Sequence, residues 1–274
     1  MREELDGELV VHGRIMPASN ATCIGEIDDI RVVYKPVAGE RPLWDFPDHT
    51  LARREVAAYA VSEALGWDIV PLTWLREGPH GEGMVQLWRE PDDGVDAVRI
   101  VPVDEVPDGW CHVFDGVDGH DQPVSLVHED TPALRRMAVF DVLVNNADRK
   151  GGHVLPMADG HRYGVDHGVT FHTEPKLRTI LWGWLGEPVG EEDLAAVEGL
   201  LEHLGGQLGV ALRTLLTERE VMSFEQRCAR LLDKRVMPAP TGAGPARRRH
   251  HLLLEHPRAP PLERGHLPLG EQLP

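Results

Sequence analysis

Cysteine is scarce in this 274-residue chain: Cys23, Cys111 and Cys228 lie far apart, odd in number and with no CxxC. A disulfide framework and a cysteine zinc centre are both excluded, and the three thiols read as reduced, half-buried small side chains. Positive charge is also short, with 28 Lys plus Arg against 45 Asp plus Glu and a net charge of −17. Non-specific nucleic-acid binding needs clustered cations to displace counterions, so nucleic acid is not an expected partner. The same deficit removes an electrostatic hold on anionic lipid, and no basic or apolar patch marks a lipid headgroup site. Long apolar runs are missing too; none approaches the ~18–20 residues of a membrane span. The opening MREELDGELVVHGRIM is acidic where a secretory leader carries positive charge, so the chain reads as cytoplasmic. Lysine is rare among the bases, at Lys35, Lys150, Lys176 and Lys234 only, which makes each one a candidate for a role arginine cannot fill.

Hydrophobic residues make up 42% of the chain, enough for a sizeable core. Residues 8–16, 21–27 and 30–37 are short, β-branched and punctuated by turn residues, which predicts an antiparallel meander. A Pro/Gly loop follows, then Thr50 and a helical pattern through Leu65 that stops at Gly66. VPLTWLRE and GMVQLWRE read as two more strands around a turn, so residues 1–90 form a sheet-rich unit with one helix. Residues 91–130 show no period and read as irregular. Thr131 and Pro132 open a helix ending near Ala147, after which DRKGGHVLPMADGHRYGVDHG reads as loop, strand, turn, strand, loop. Helical patterns return at about 191–204 and 207–235. From Pro238 to Pro274 the chain is Pro-rich without aromatic residues or period, and is expected to be a disordered tail whose RRRHH run is solvated. There is no internal repeat.

Chemistry concentrates in Asn145-Asn146-Ala147-Asp148-Arg149-Lys150-Gly151-Gly152-His153 and in Val165-Asp166-His167-Gly168. Singly, each segment reads as a turn, where Asp and Gly are common for backbone reasons. Together they supply two carboxylates suited to phosphoryl transfer. One would orient a hydroxyl and take its proton, the other would hold Mg²⁺ on nucleotide phosphates, and Lys150, two residues after Asp148, would neutralise the migrating group. Upstream, in matching order, Lys35 ends a strand and Glu55 sits early in the following helix. A strand lysine fixed by a helix glutamate is a nucleotide clamp.

Tyr-Lys-Pro, Arg-Glu-Val-Ala-Ala-Tyr, Asn-Ala-Asp-Arg-Lys and Val-Asp-His-Gly, in this order, resemble the phosphatidylinositol 3-/4-kinase superfamily. The similarity is closest to type II phosphatidylinositol 4-kinases and small bacterial proteins akin to them, with Trp182-Gly183-Trp184-Leu185 adding to it; HipA-like kinases are more distant. It covers about residues 8–235. The resemblance implies an α+β, two-lobed protein-kinase-like fold, with a sheet-rich lobe over 1–90 and a mostly helical lobe over 91–237. It implies ATP and Mg²⁺ or Mn²⁺ as cofactors and an unidentified hydroxyl acceptor: lipid, protein or small molecule. By position, Lys35 would contact the nucleotide phosphates and Glu55 would pair with it. Asp148 would be the catalytic aspartate, Asp166 the metal-binding one, and backbone groups of Gln86, Leu87 and Trp88 would hold adenine. Asn20 and Thr22 would lie near the turn over the phosphates.

Two departures stand out. His153 occupies the place of the second metal-binding asparagine, and an imidazole suits Mn²⁺ or Zn²⁺ better than Mg²⁺. SNATCIG lacks the GxGxxG of protein kinases. Two further readings stay open: a kinase-shaped nucleotide-binding module without catalysis, and a metal hydrolase built on His153, Asp166, His167 and His172. Of the seven tryptophans, Trp88 could stack on a base, and the others read as core or lobe-interface packing.

Overall fold

The β-branched stretches near the N-terminus form strands in the computed structural model, which describes residues 4–15 and 20–240. β1 (Val10–Arg14), β2 (Cys23–Ile27) and β3 (Ile30–Pro36) make an antiparallel meander. β4 (Thr73–Gly78) and β5 (Gly81–Leu87) form a hairpin, and β5 inserts beside β3 to give the order β1-β2-β3-β5-β4. Period-2 alternation sends Val32 and Tyr34 of β3 into the core, each fully buried, and leaves Lys35 on the other face. β5 can approach closely at Lys35 because residue 83 is glycine: a Cβ there would lie 2.6 Å from the Lys35 carbonyl oxygen.

Between β3 and β4 runs α1 (Leu51–Leu65), which ends in left-handed Gly66 as its sequence predicts. Thr50 makes no cap; its hydroxyl donates to the Pro47 carbonyl, and the Glu40 carboxylate accepts from the Leu51 and Ala52 N–H groups at 3.1 and 2.8 Å. An acidic group at that end also suits the helix dipole. α1 is buried around most of its circumference, against β4 and β5 on one side and the C-terminal helices on the other.

Residues 91–130, expected to be irregular, instead hold a second antiparallel sheet. β6 (Val98–Pro102) and β7 (Trp110–Val117) flank a central β8 (Pro123–Glu129). The period was hidden for two reasons. β8 is buried on both faces from Val124 to Glu129, so polar and apolar residues do not alternate, and β7 shifts register between His112 and Phe114. The polar residues of β8 are instead structural. Glu129 takes a two-pronged contact from Arg162 at 2.7 and 2.9 Å, and the His128 ring accepts the Gly183 N–H at 3.0 Å.

α2 (Pro132–Val144) begins with the expected cap, the Thr131 hydroxyl accepting the Leu134 N–H, and ends at left-handed Asn145. β9 (Val154–Pro156) and β10 (Arg162–Gly164) form the predicted short hairpin. α3 (Glu191–Leu204) matches its pattern, whereas the single helix expected over 207–235 divides into α4 (Gln207–Leu215) and α5 (Glu218–Lys234). Thr217 and Glu220 form a reciprocal capping box that starts a new helix there. The molecule is thus a mixed α/β protein, sheet-rich toward the N-terminus and helical toward the C-terminus, with the helical part carrying more sheet than its sequence suggested. Among the described residues no helix is long and apolar enough to cross a membrane. All three cysteines are free. Trp74 and Trp184 are buried as expected, but Trp44 is 92% exposed beside Lys176 and packs into no core. The Pro-rich segment from residue 241 on, with its RRRHH run, lies outside the described residues, as does the start of SNATCIG.

Candidate functional site

Lys35 leaves the end of β3 with its side chain largely enclosed, and its Nζ donates to two carboxylates. Glu55 Oε1 lies 2.7 Å away and Asp166 Oδ1 2.8 Å away, although the three residues are separated by 20 and 131 positions in sequence. Burial works against the Lys35 charge, yet Asp166 and Glu55 together hold its ammonium well above the usual lysine range. Asp166 is held far below the ordinary carboxylate range, above all by Lys35. Burial pushes the Glu55 carboxyl up, with Lys35 pulling the other way.

Glu55 is fixed from both sides. Its second oxygen accepts the His167 N–H at 2.8 Å, so one carboxylate joins the N-terminal sheet to the loop after β10. The residue before it anchors the same helix: the buried Arg54 guanidinium pairs with Glu220, donates to the Thr170 carbonyl at 2.7 Å and lies 5.0 Å from the Phe46 ring centre. Asp166 itself sits at φ +61°, a left-handed conformation that costs a non-glycine residue ~1–2 kcal/mol and turns its carboxylate toward Lys35. Gly168 follows where a Cβ would come within 3.3 Å of Leu51, so the loop lies directly on α1.

Asp148 stands on the loop after α2, 40% exposed at its side chain, and pairs with Lys150 at 2.9 Å. Its N–H donates to Asn146 Oδ1 at 3.0 Å. The loop is laced to the Asp166 segment by backbone bonds: Ala147 N–H to the Val169 carbonyl at 3.0 Å, Phe171 N–H to Val144 at 2.6 Å, and Val165 N–H to His153 at 3.0 Å. Beneath it lies a buried network that the sequence did not reveal. Asp141, on α2, accepts from Arg149 Nη2 at 2.8 Å, Asn146 Nδ2 at 2.9 Å and the Thr179 hydroxyl at 3.0 Å. Arg149 Nη2 also donates to His167 Nε2 at 2.7 Å, and burial together with the Arg149 charge holds His167 far below the usual imidazole range, hence neutral. An aspartate inside the apolar run VFDVLV was the one available signal.

His153 Nε2 lies 3.3 Å from Asp166 Oδ2, while the Lys150 N–H is directed at its Nδ1 from 3.4 Å. Burial lowers its pKa, so the ring is neutral at pH 7, and the accepting Nδ1 places the proton on Nε2, toward Asp166. To ligate an ion through Nε2 the ring must give up both contacts. No group of three or more His, Cys, Asp or Glu that could hold a metal occurs among the described residues. Asp166 offers a carboxylate suited to a hard divalent ion whose other ligands come from phosphate and water. The hydrolase cluster is not brought together: His167 is taken up by Arg149, and His172 Nε2 by the Asp45 carbonyl at 2.9 Å.

The segment expected to hold adenine lies inside the sheet. Gln86 is buried, its side-chain amide donating to the Thr73 hydroxyl at 2.8 Å. The Leu87 N–H donates to Leu72 at 2.9 Å and the Trp88 N–H to Arg31 at 3.0 Å, and the Trp88 indole N–H reaches Glu90 at 2.9 Å. Asn20 Oδ1 accepts the Arg41 N–H at 2.9 Å, and the Thr22 hydroxyl faces the Asn20 carbonyl at 3.5 Å.

No family model matches the chain. The crystal structure of a Helicobacter pylori proinflammatory kinase, CtkA, superposes over 85% of this chain and 93% of that one, at 12% identity and a TM-score of 0.42. That likeness is too partial to carry an argument. Protein Rv2133c of Mycobacterium tuberculosis is 51% identical over 253 residues, which span 88% of this chain and 91% of that protein. At that identity and coverage, the chain belongs to the same family as Protein Rv2133c.

Proposed function

We propose that the chain is an ATP-dependent kinase with a two-lobed, protein-kinase-like fold, of the phosphatidylinositol 3-/4-kinase type it resembles, which transfers the γ-phosphoryl group to a hydroxyl acceptor. The reading is carried by one observation: Lys35 Nζ sits between Glu55 Oε1 at 2.7 Å and Asp166 Oδ1 at 2.8 Å, on three separate elements. A lysine above the usual range keeps its charge for the nucleotide phosphates, and a buried, doubly bonded glutamate fixes its direction. Asp166, ionised and half exposed, is the residue to hold Mg²⁺ or Mn²⁺, with His153 second to it. Such an ion, when bound, would neutralise charge on the transferring phosphate.

Asp148 is open to solvent on a loop tied to the Asp166 segment, which suits a group that must meet an incoming hydroxyl and take its proton. Lys150, paired with it, would turn toward the phosphoryl group. Adenine would meet backbone beyond Trp88, because the Leu87 and Trp88 N–H groups already serve the sheet. Formation of ADP and a phosphorylated product from ATP, assayed with candidate lipid, peptide and small-molecule alcohols, tests the transfer. Loss of that activity in Asp148→Asn with nucleotide binding retained is expected; an active Asp148→Asn protein would overturn the assignment. The second reading, a module that holds nucleotide without transfer, draws on the Nε2–H of His153 facing Asp166, and it predicts binding with no ADP formed by the unaltered protein.

A further inference from the structure

α1 grips the loop after Asp166 with two successive residues. Glu55 accepts the His167 N–H at 2.8 Å, and Arg54 Nη1 donates to the Thr170 carbonyl at 2.7 Å. The Thr170 hydroxyl donates to the His167 carbonyl at 2.7 Å, which closes residues 167–170 into one turn. Neighbouring residues on an α-helix point about 100° apart, so that turn is held from two directions. Asp166 immediately precedes it in the left-handed conformation.

Stability alone does not call for an arginine at position 54. The residue lies near the start of α1, where the helix dipole disfavours a cation, and it is buried. Burying its charge against Glu220 gains little over an apolar pair of similar size. What an apolar pair lacks is the planar fork of donors. Arg54 Nε also reaches Thr50 Oγ1 at 3.3 Å, so one side chain joins the start of α1, the Asp166 loop and the start of α5. Glu220 is fixed in turn by Thr217, whose N–H and hydroxyl both donate to Oε2 at 2.8 Å.

We propose that Arg54 is a positioning residue for the Lys35 site. By tying the 167–170 turn to α1 and α5 it sets the direction of Asp166, and it keeps Lys35, Glu55 and Asp166 assembled before any ligand arrives. No swing of α1 is then needed to complete the site. The consequence for metal binding rests on the kinase reading; the order of the loop does not.

Two variants of the full chain test this. Arg54→Lys keeps a cation but cannot serve the Thr170 carbonyl and Glu220 together. Arg54→Met with Glu220→Gln leaves neither charge buried and keeps an acceptor for Thr217, which guards against simple unfolding of the first variant. In both, ligand-free amide hydrogen exchange should quicken at His167 and Phe171 by about tenfold, as for the loss of one charged hydrogen bond. The β8 amides should keep their rates. Mn²⁺ titration in the presence of a non-hydrolysable ATP analogue, followed by electron paramagnetic resonance, should show metal affinity lower by about ten- to a hundredfold. Unchanged exchange at His167 and Phe171 would overturn the proposal. Equal quickening at β8, or unchanged Mn²⁺ affinity, would do the same, because a purely structural arginine gives those results. If the unaltered protein binds no Mn²⁺ with the analogue, the kinase reading falls, and the exchange rates alone decide whether Arg54 positions the loop.

Discussion

Two charged constellations lie side by side in this protein, and they are built differently. Around Asp141 every group is buried: the carboxylate, the Arg149 guanidinium, Asn146 and His167 are all enclosed, and each carboxylate oxygen has its donors. Around Asp166 the carboxylate is half exposed, held on one side by Lys35 and on the other by His153, with Asp148 and Lys150 also partly open to solvent. Burying an ion pair is tolerable only when its remaining hydrogen bonds are satisfied, as they are at Asp141. An open pair gives up that constancy and gains access for a ligand. The closed network ties the two loops together, and the open one leaves its carboxylates within reach of solvent.

This contrast can be broken from either side. The largest effect is expected at Asp148: Asp148→Asn should reduce turnover by about 100- to 10,000-fold, the usual contribution of a positioned general base. Its unfolding midpoint in urea should stay close to that of the unaltered protein, within about 0.5 kcal/mol for an exposed position. Asp141→Ala should behave in reverse. Leaving Arg149 buried without its carboxylate should cost about 3–5 kcal/mol in urea unfolding, and activity should fall only as the protein unfolds. Equal stability of the two variants would erase the distinction.

A smaller effect separates the constellations by pH. The folded-state pKa values of His167 and His153 are lowered from 6.5, so between those values and about 6.5 the unfolded chain binds protons that the native state does not. The contribution of these two rings to stability should rise with pH through that window and level off outside it. Glu55, pushed up from 4.5, works in the opposite sense only nearer its own range. Urea midpoints at pH 7 and 5.5 should therefore differ, and His167→Gln, which keeps an acceptor for Arg149, should flatten the difference. An unchanged slope in that variant would mean that His167 is not the group responsible.

How much of this could be read from sequence depended on range. The meander, α1 and the β9–β10 hairpin rest on local alternation and turn residues, and those were legible. β8 was not, because a strand buried on both faces has no alternation and its Ser125, His128 and Glu129 look like loop residues until Arg162 and Gly183 are brought beside them. Lys35, Glu55, Asp148, Asp166 and His153 were named from their order and residue types, and the fold brings Lys35, Glu55, Asp166 and His153 into contact. Arg54, Asp141 and Arg149 were missed, since a buried charge within a helix or loop acquires meaning only from partners distant in sequence. At the segment expected to hold adenine, sheet pairing with Leu72 and Arg31 occupies the Leu87 and Trp88 N–H groups, which the sequence leaves looking free.

The central claim is that Lys35 and Asp166 form a site for a metal-bound nucleotide. A thermal-shift titration of the unaltered protein and of Asp166→Ala with ATP, in the presence and absence of Mg²⁺ or Mn²⁺, addresses it directly. Saturating a site at 100 times its dissociation constant stabilises by ~2.7 kcal/mol, which for a chain of this size is a rise of roughly 5–10 °C in midpoint. The account predicts that rise only when ATP and metal are both present, and its loss in Asp166→Ala. No rise under any condition, or an equal rise in Asp166→Ala, would contradict it.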